Sequence, residues 1–304
     1  MITFRYHLVS LVAVFLALAL GIVVGTTALN GPVTSDLRHQ VDDLKKERTQ
    51  LAGQVKSLQG QVDTAGQFAT TFGSQLVAGT LKRASVLVVA LPGASTGLQD
   101  GIANQLTAAG AKITGRLDLA PSFVDPAQGD RIRSLATGPA HPLGLTLPET
   151  SDNRLLAAAL LGFVLVGRGE VTDLKTVLSG LSALHMITSD PAGIEASKTV
   201  VVIGNGSQPK GAYAGEAEFD VVSQLTSAGG KVVVAGDTGS AQADGVVALV
   251  REGSTKSTVS TIDNANSAFG QVSTALAVAG TINSQIGHYG TSKGAQALFP
   301  TKTQ

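Results

Sequence analysis

One uninterrupted apolar segment near the N-terminus constrains this chain more than any other feature. No Asp, Glu, Lys or Arg lies between His7 and Asp36, and the apolar stretch Leu8–Leu29 is 22 residues long. A helix needs about 20 apolar residues to cross a hydrocarbon core of about 30 Å. We therefore predict a membrane anchor over residues 8–29, preceded by a short N-terminal tail over residues 1–7.

A cleaved secretory signal is the alternative to an anchor. The apolar region of a signal is typically about 7–15 residues, shorter than this one, although the small residues at 25–28 would suit a signal peptidase. Basic residues lie on both sides of the span, so the positive-inside rule does not decide the orientation. The short charged tail resembles that of a signal anchor. This predicts one span in the cytoplasmic membrane, with the rest of the chain outside the cytoplasm.

A heptad pattern of apolar residues follows the anchor, runs from Leu37 to Leu76, and predicts a coiled coil over residues 35–78. Leu at successive d positions and Val at most a positions favour two parallel helices, whereas Arg48 places a charge at an a position. The predicted partner-binding residues are Leu37, Val41, Leu44, Arg48, Leu51, Val55, Leu58 and Val62. The partner is a second copy or a heterologous coiled-coil protein. The alternative to both is a helix that packs on its own globular domain.

The remainder of the chain carries strand-helix-strand units. The apolar run Val86–Ala90 precedes a helical pattern, and a nine-residue segment that begins at Gln105 recurs from Gln224 with six identical residues. Each copy leads from a helix into a β-rich run. Such units build a parallel sheet covered by helices. We predict an α/β fold, a doubly wound Rossmann-like or flavodoxin-like domain over residues 84–288, followed by a flexible C-terminal tail over residues 289–304.

The composition of the chain limits the ligands and the reactions that the protein can support. Lys and Arg together number 22, as do Asp and Glu, so the chain offers no net basic charge for nucleic-acid binding. It has no Cys and only two Met, the soft ligands that Cu(I) prefers. No GxGxxG, Walker A or GxSxG motif occurs, and Gly204–Ser207 predicts a structural turn rather than a phosphate site. We predict a protein that is not an enzyme, with no evident cofactor.

Histidine offers the remaining metal chemistry. None of the five histidines lies within five residues of another, so no local metal-binding motif is present. His141, His185 and His288 are weak candidate ligands, because a fold can bring distant residues together. Isolated histidines of this kind are more often structural, and the metal site is left unassigned.

Both ends of the chain resemble one known family. The opening MITFRYHLVS, with the AVFLALALGIVVG that follows, is similar to the start of the actinobacterial MctB family of copper transport outer-membrane proteins. Ser260–Asn264 resembles that family's S-T-V-D-N element, and Gly287–Gly290 resembles its G-H-Y-G ending. The residues that carry these motifs are Arg5, Tyr6, His7, Asp263, Asn264, His288 and Tyr289.

The resemblance implies a cell-envelope protein associated with copper efflux or homeostasis, and the family description places it in the outer membrane. It also implies an alternative, regulation of septal cell-wall hydrolysis, in which the coiled coil engages a peptidoglycan hydrolase and a membrane-associated division protein takes part. Copper is an expected ligand only through this resemblance. The residues themselves favour a membrane-anchored scaffold. Asp263, Asn264, His288 and Tyr289 are expected to support a shared site or to hold the domain together, and Asp263 and Asn264 to do so by capping the helix that follows their strand. Arg5 and Tyr6 are expected to lie at the membrane interface.

Overall fold

The computed structural model describes residues 4–139 and 141–301, apart from the side chains of residues 27–36. The chain divides into two compact units, Met1–Thr64 and Ala65–Gln304. The α-helices in the described ranges are α1 (Phe4–Val77), α2 (Thr96–Ala108), α3 (Gly129–Thr137), α4 (Asn153–Leu165), α5 (Val171–Ala183), α6 (Tyr213–Ser227), α7 (Val246–Glu252) and α8 (Ala268–Ile282). The strands are β1 (Ser85–Ala90), β2 (Lys112–Asp118), β3 (Thr199–Ile203), β4 (Lys231–Ala235), β5 (Ser260–Ile262) and β6 (His288–Tyr289).

Helix α1 contains both the apolar segment and the heptad pattern. It begins at Phe4, so the described part of the predicted 1–7 tail is helical. The segment Phe4–Thr26 is long and apolar enough to cross a membrane, with a mean hydropathy of 2.8. Residues 1–3 and the side chains at the end of the predicted 8–29 anchor lie outside the described residues.

The second unit is built on a parallel sheet with the strand order β2-β1-β3-β4-β5-β6. Helices cover the sheet, and the predicted α/β fold class is confirmed. The chain order reverses between β1 and β3, which pair from Leu87–Val200 to Ala90–Ile203. Flavodoxin-like sheets have this order, and folds of this kind bind ligands beside the carboxyl ends of the strands where the order reverses.

Different helices cover the two faces of the sheet. Successive residues of a strand point to opposite faces. In β3, Val200 and Val202 belong to a core shared with α3, α4, α5, α6 and α7. Val201 and Ile203 belong to a second core, shared with α2, α8 and the end of α1. Strands buried on both faces account for the continuous apolar runs in the sequence.

The repeated nine-residue segment forms the same turn twice. At the end of α2, Gly110 has φ +95°, its N–H bonds the carbonyl of Thr107, and the N–H of Ala111 bonds the carbonyl of Leu106. At the end of α6, Gly229 has φ +89° and the same two hydrogen bonds are repeated. These are Schellman motifs, in which glycine accepts the left-handed backbone that ends the helix. The repeat therefore encodes a helix end that leads into a buried strand.

The last turns of α1 lie in the second unit and bury a different face from the one that the heptad pattern predicts. Ala69, a heptad position, is buried together with Gly73 and Val77, which lie outside the heptad pattern. The heptad positions Phe72 and Leu76 remain exposed. A straight α-helix has 3.6 residues per turn and drifts away from a seven-residue repeat unless it supercoils around a partner. The predicted coiled-coil seam therefore does not continue as one face to Leu76.

Close helix packing accounts for the small residues on this buried face. A Cβ atom on Gly73 would lie 2.5 Å from Cγ2 of Val272 in α8, so a larger residue would push the two helices apart. The alternative interpretation, a helix packed on its own domain, thus applies to the part of α1 that follows Thr64.

The C-terminal segment predicted to be flexible over residues 289–304 is hydrogen-bonded over most of its described length. The N–H of Gly290 bonds the carbonyl of Ala297 at 3.0 Å, and the N–H of Gln296 bonds the carbonyl of His288 at 2.7 Å. Polar composition suggested a loose tail, but these backbone groups pair with β6 and its continuation. Residues 302–304 lie outside the described residues.

Candidate functional site

An exposed apolar seam lies along α1 in the first unit. Leu44 is 64% exposed, Leu51 52% and Val55 65%. The other apolar members of the predicted seam are exposed too, namely Leu37, Val41, Leu58 and Val62. An exposed apolar surface of this kind is typical of interaction sites. The predicted partner-binding residues therefore share one accessible helix face.

Arg48 interrupts this seam, and Glu47 precedes it. Within the ranges that the structure describes, neither side chain forms an ion pair, whereas Lys46 pairs with Asp43 at 3.3 Å on the same helix. Adjacent residues on a helix point in different directions, so Glu47 cannot readily neutralise Arg48 of its own chain. The seam thus offers one cation and one neighbouring anion without partners in the described part of the chain.

A buried ion pair lies beside the carboxyl end of β5. Nη1 of Arg251, in α7, donates to Oδ2 of Asp263 at 2.8 Å, and Nε of Arg251 donates to the hydroxyl of Thr261 at 2.9 Å. The guanidinium also donates to the backbone carbonyls of Tyr289 and Lys293. All these groups are hydrogen-bonded in a region closed to water, so the arrangement holds elements together and presents no free functional group.

Asp263 also binds the backbone that follows β6. Its carboxylate oxygens accept the N–H groups of Thr291 at 2.8 Å and Ser292 at 3.1 Å. Gly290, between β6 and these residues, has φ +130°, and a Cβ atom there would lie 2.1 Å from Oδ1 of Asp263. The S-T-V-D-N and G-H-Y-G motifs are therefore parts of one structure, in which the carboxylate of the first binds the backbone beside the second.

The expected capping role of Asp263 and Asn264 is wrong. The side chain of Ser267 caps α8, accepting the N–H of Gly270 at 3.1 Å. Asn264 contributes its backbone carbonyl, which accepts the hydroxyl of Ser267 at 2.7 Å. Three residues lie between Asn264 and the start of α8, so the side chains of Asp263 and Asn264 come too early in the chain to cap that helix.

His288 is buried next to this ion pair. Its Nδ1 lies 3.0 Å from the hydroxyl of Thr261, which also accepts from Arg251. Burial, followed by the nearby positive charge of Arg251, lowers the pKa of His288 and favours the neutral ring. Tyr289 follows, and burial raises the pKa of its phenol. His288, the histidine of the family motif, is thus part of the buried hydrogen-bond network around Arg251 and Thr261.

The other candidate metal ligands lie elsewhere. His141 follows α3, and its Nδ1 lies 3.0 Å from the carbonyl of Ala136. His185 follows α5, and its backbone carbonyl accepts the hydroxyl of Ser122 at 2.6 Å. No group of three or more His, Asp or Glu suited to hold a metal ion occurs among residues 4–139 and 141–301. Arg5, Tyr6 and His7 lie in the first turns of α1 with exposed side chains.

A second charged cluster, which the sequence did not single out, joins the N-terminal ends of α4 and α6. Arg154 is hydrogen-bonded to Asp152 at 2.5 Å and to Glu216, and its Nε lies 3.7 Å from Asp220. The guanidinium carbon also lies 5.0 Å from the ring centre of Tyr213. The Arg154 hydrogen bonds hold the pKa of Asp152 below its usual value, and those of Asp152 and Glu216 raise the pKa of Arg154.

Two carboxyl groups of α6 have raised pKa values. Burial raises the pKa of Glu218 to about 7, against the opposing effect of a hydrogen bond from Gln208 at 3.3 Å. Burial also raises the pKa of Asp220 to about 6. Perturbed carboxyl groups are common at functional sites and in structural ion-pair networks alike. Arg154 and Glu216 are 62 positions apart, and only the four-residue spacing of Glu216 and Asp220 hinted at a shared helix face.

The loops beside the reversal of strand order bind one another. The side chain of Asn205, after β3, donates to the carbonyl of Gly93, after β1, at 2.9 Å. The N–H of Gly206 donates to Oδ1 of Asp237, after β4, which also accepts the N–H of Ser240. A phosphate in the Gly204–Ser207 loop would have to displace Asp237 from Gly206. The loop thus forms the structural turn that its sequence favours.

Comparisons with known proteins cover the whole chain. A family model described as copper transport outer membrane protein, MctB, matches residues 1–300. The chain is 30% identical over 310 residues to the copper transporters MctB of Mycobacterium bovis and Mycobacterium tuberculosis, covering 98% of this chain and 99% of each relative. It is also 30% identical over 315 residues to the copper transporter MctB of Mycobacterium leprae, with the same coverage.

Proposed function

Because this chain belongs to the MctB family of copper transport outer membrane proteins, we propose that it serves copper homeostasis as a membrane-anchored, non-enzymatic scaffold of the cell envelope. The exposed seam of α1 carries this proposal. Its Leu and Val side chains are more than two fifths exposed and lie in the same helix as a segment apolar enough to span a membrane. An apolar heptad seam becomes stable when it pairs with another helix. The protein acts, in this proposal, through the partner that the seam binds.

The small number of copper-binding side chains supports a scaffold rather than a channel that would coordinate copper along its length. The chain contains no Cys and two Met, so it supplies few of the soft ligands that Cu(I) prefers. In the described ranges, one helix has the length and composition of a membrane span. We place the copper chemistry in the assembly that the scaffold organises.

We further propose that the chain crosses the cytoplasmic membrane once, with its second unit outside the cytoplasm. Because the chain has no Cys, a Ser57→Cys variant carries a single thiol. A membrane-impermeant maleimide should label it in intact spheroplasts. Labelling only after lysis would contradict this orientation. Fractionation of the two membranes would show which one holds the protein.

The copper role is tested by deleting the gene and measuring cell-associated copper and copper tolerance. We expect higher copper content and lower tolerance, restored by the wild-type gene. A Leu44→Asp/Leu51→Asp variant should not restore them, because two charges in the seam prevent helix pairing. The matched control is Gln50→Asp/Ser57→Asp, which adds the same charges at c positions, outside the seam. Membrane levels of each variant are compared by immunoblot.

Two results would contradict the proposal. Unchanged copper content and tolerance after deletion would remove the copper role. Full complementation by Leu44→Asp/Leu51→Asp, at wild-type membrane levels, would remove the role of the seam.

The same exposed seam supports a second candidate function, regulation of septal cell-wall hydrolysis through a recruited peptidoglycan hydrolase. In this case the wild-type chain should capture a hydrolase after crosslinking in growing cells, and Leu44→Asp/Leu51→Asp should not. Equal capture by both, or normal septation after deletion, would argue against this function.

A further inference from the structure

The seam between Leu37 and Val62 has the composition of a two-stranded coiled coil. Leu fills the d positions, and Val fills three of the four a positions from Val41 to Val62. β-branched residues at a with Leu at d favour a parallel dimer over trimers and tetramers. Val41, the least exposed of these side chains, is still 44% exposed. One facing helix would therefore cover the whole seam.

The membrane span argues for the direction and height of pairing. The apolar segment Phe4–Thr26 and the seam belong to the same helix, α1. Two copies anchored in one membrane enter the seam from the same end and at the same distance along the helix. They are thus brought together parallel and in register. A partner of different sequence is under no such constraint.

Arg48 supplies the reason for a specific register. In a parallel coiled coil, an a residue inserts into a hole formed by four residues of the facing helix. With Leu44 at d, the hole that receives Arg48 in an in-register pair contains Arg48 of the partner subunit and Glu47 of the partner subunit, at a g position. The carboxylate of Glu47 thus offsets the repulsion between the two facing guanidinium groups. Each cation then meets an anion, and symmetry produces two such ion pairs in one dimer.

Pairing shifted by one heptad loses this match. The g positions one heptad away are Gln40 and Gln54, and the a positions there are Val41 and Val55. Arg48 would then face an apolar a residue and an uncharged g residue, which leaves a partly desolvated charge without a counterion. Glu47 is the one acidic residue at the g positions of the seam, so it favours the in-register pair.

We propose that the partner of this seam is a second copy of the chain, paired in parallel and in register, with Arg48 of each copy bound to Glu47 of the partner subunit. This inference rests on the proposed function, because it names the partner of the same seam.

Disulfide crosslinking of the full-length chain in membranes tests the pairing. A Leu51→Cys variant has the only thiol of its chain, and d positions of a parallel, in-register pair bring the two Cα atoms within disulfide range, about 4–7 Å. After oxidation with diamide, we expect a covalent dimer. The Gln50→Cys variant, with its thiol at an outward c position, should form at least tenfold less covalent dimer. Co-expressed Leu44→Cys and Leu51→Cys chains with different tags should form no mixed dimer, since that crosslink requires a shift by one heptad.

Charge exchange tests the Glu47–Arg48 contact. In the Leu51→Cys background, Arg48→Glu or Glu47→Arg places like charges together and should lower the initial crosslinking rate roughly three- to tenfold. The double variant Glu47→Arg/Arg48→Glu restores an opposite pair and should recover the rate. Equal rates for all four proteins, or a double variant as slow as the single ones, would overturn the ion pair.

The results separate this inference from the proposed function. If Leu51→Cys forms no dimer while Leu44→Asp/Leu51→Asp still fails to restore copper tolerance, the seam binds a different protein and the inference is wrong. If the Leu51→Cys variant forms the dimer but Leu44→Asp/Leu51→Asp restores copper tolerance fully, the inferred dimer is supported and the proposed function of the seam is wrong.

Discussion

Arg251 and Asp263 form an ion pair of 2.8 Å with side chains that are 3% and 0% exposed. Arg251 belongs to α7 and Asp263 follows β5, so the pair links a helix to the sheet. The same guanidinium binds the carbonyl of Tyr289, and the same carboxylate binds the N–H of Thr291. The pair therefore attaches the C-terminal segment, which contains β6, to the rest of the second unit.

Removing one partner of this pair should destabilise the second unit strongly. Asp263→Ala leaves the buried charge of Arg251 uncompensated, and breaking such a pair costs about 3–5 kcal/mol. Denaturant unfolding of the full chain in detergent, followed by circular dichroism, measures the change. Glu195→Ala is the control, because its ion pair with Lys112 is exposed and should contribute less than about 1 kcal/mol. A loss below 1 kcal/mol for Asp263→Ala would show that the pair contributes little.

Gly290→Ala should disturb the same network through the backbone. Its φ of +130° strains any residue with a Cβ atom, and that atom would collide with the Asp263 carboxylate. We expect a loss of roughly 2 kcal/mol or more in unfolding free energy. Gly97→Ala in α2, where nothing lies within 4 Å of the added atom, should be neutral or slightly stabilising. Similar stability for Gly290→Ala and wild type would contradict the proposed packing.

The buried Glu218 should make stability depend on pH. Its pKa is about 7 in the folded chain, against an ordinary value of 4.5 for a glutamate side chain, so between these values the folded state retains a proton that the unfolded state has released. The stabilisation is complete below pH 4.5 and is lost as pH rises to 7. Glu218→Gln lacks this titration.

The measurement is the unfolding free energy of Glu218→Gln minus that of wild type at several pH values. This difference should increase by roughly 1.4 kcal/mol per pH unit between pH 4.5 and 7, and then level off. Contributions from Asp220 and His288 are common to both proteins and cancel to first order. A difference that stays constant across this range would exclude the raised pKa.

The change of face at the end of α1 predicts opposite outcomes for two neighbouring positions. Ala69 is 2% exposed and Phe72 43%. Ala69→Glu buries a charge against the second unit and should cost several kcal/mol, whereas Phe72→Glu should change stability by less than about 1 kcal/mol. Unfolding of the full-length variants in detergent compares them. The reverse order would mean that the face through the heptad positions Phe72 and Leu76, rather than the face through Ala69, Gly73 and Val77, is buried.

Local features were predictable because each depends on residues close together in the chain. The strand that begins the sheet follows from the apolar run Val86–Ala90. The repeated segments ending in Gly110 and Gly229 signalled helix ends because only a residue without a Cβ atom adopts that backbone readily. The parallel sheet then followed from the order of the elements.

The candidate sites were less predictable. The motif residues Asp263 and His288 were identified by resemblance. Arg251, which pairs with Asp263 and is linked to His288 through Thr261, carried no signal in the sequence. Its role arises because the sheet brings α7, β5 and the segment after β6 together. Likewise, Arg154 meets Glu216 because α4 and α6 lie side by side. The pKa of Glu218 is raised because folding buries its side chain.

The sequence by itself determined the apolar segment that can span a membrane, the Leu and Val seam with Arg48 in it, and the α/β class, because hydrophobic periodicity and glycine chemistry act over a few residues. Only the tertiary structure decided where along α1 the exposed seam ends and packing on α8 begins. It also decided which charges are buried and paired, and that the segment after Tyr289 is hydrogen-bonded rather than loose. These outcomes depend on contacts between residues far apart in the chain, where desolvation and close packing outweigh local preference.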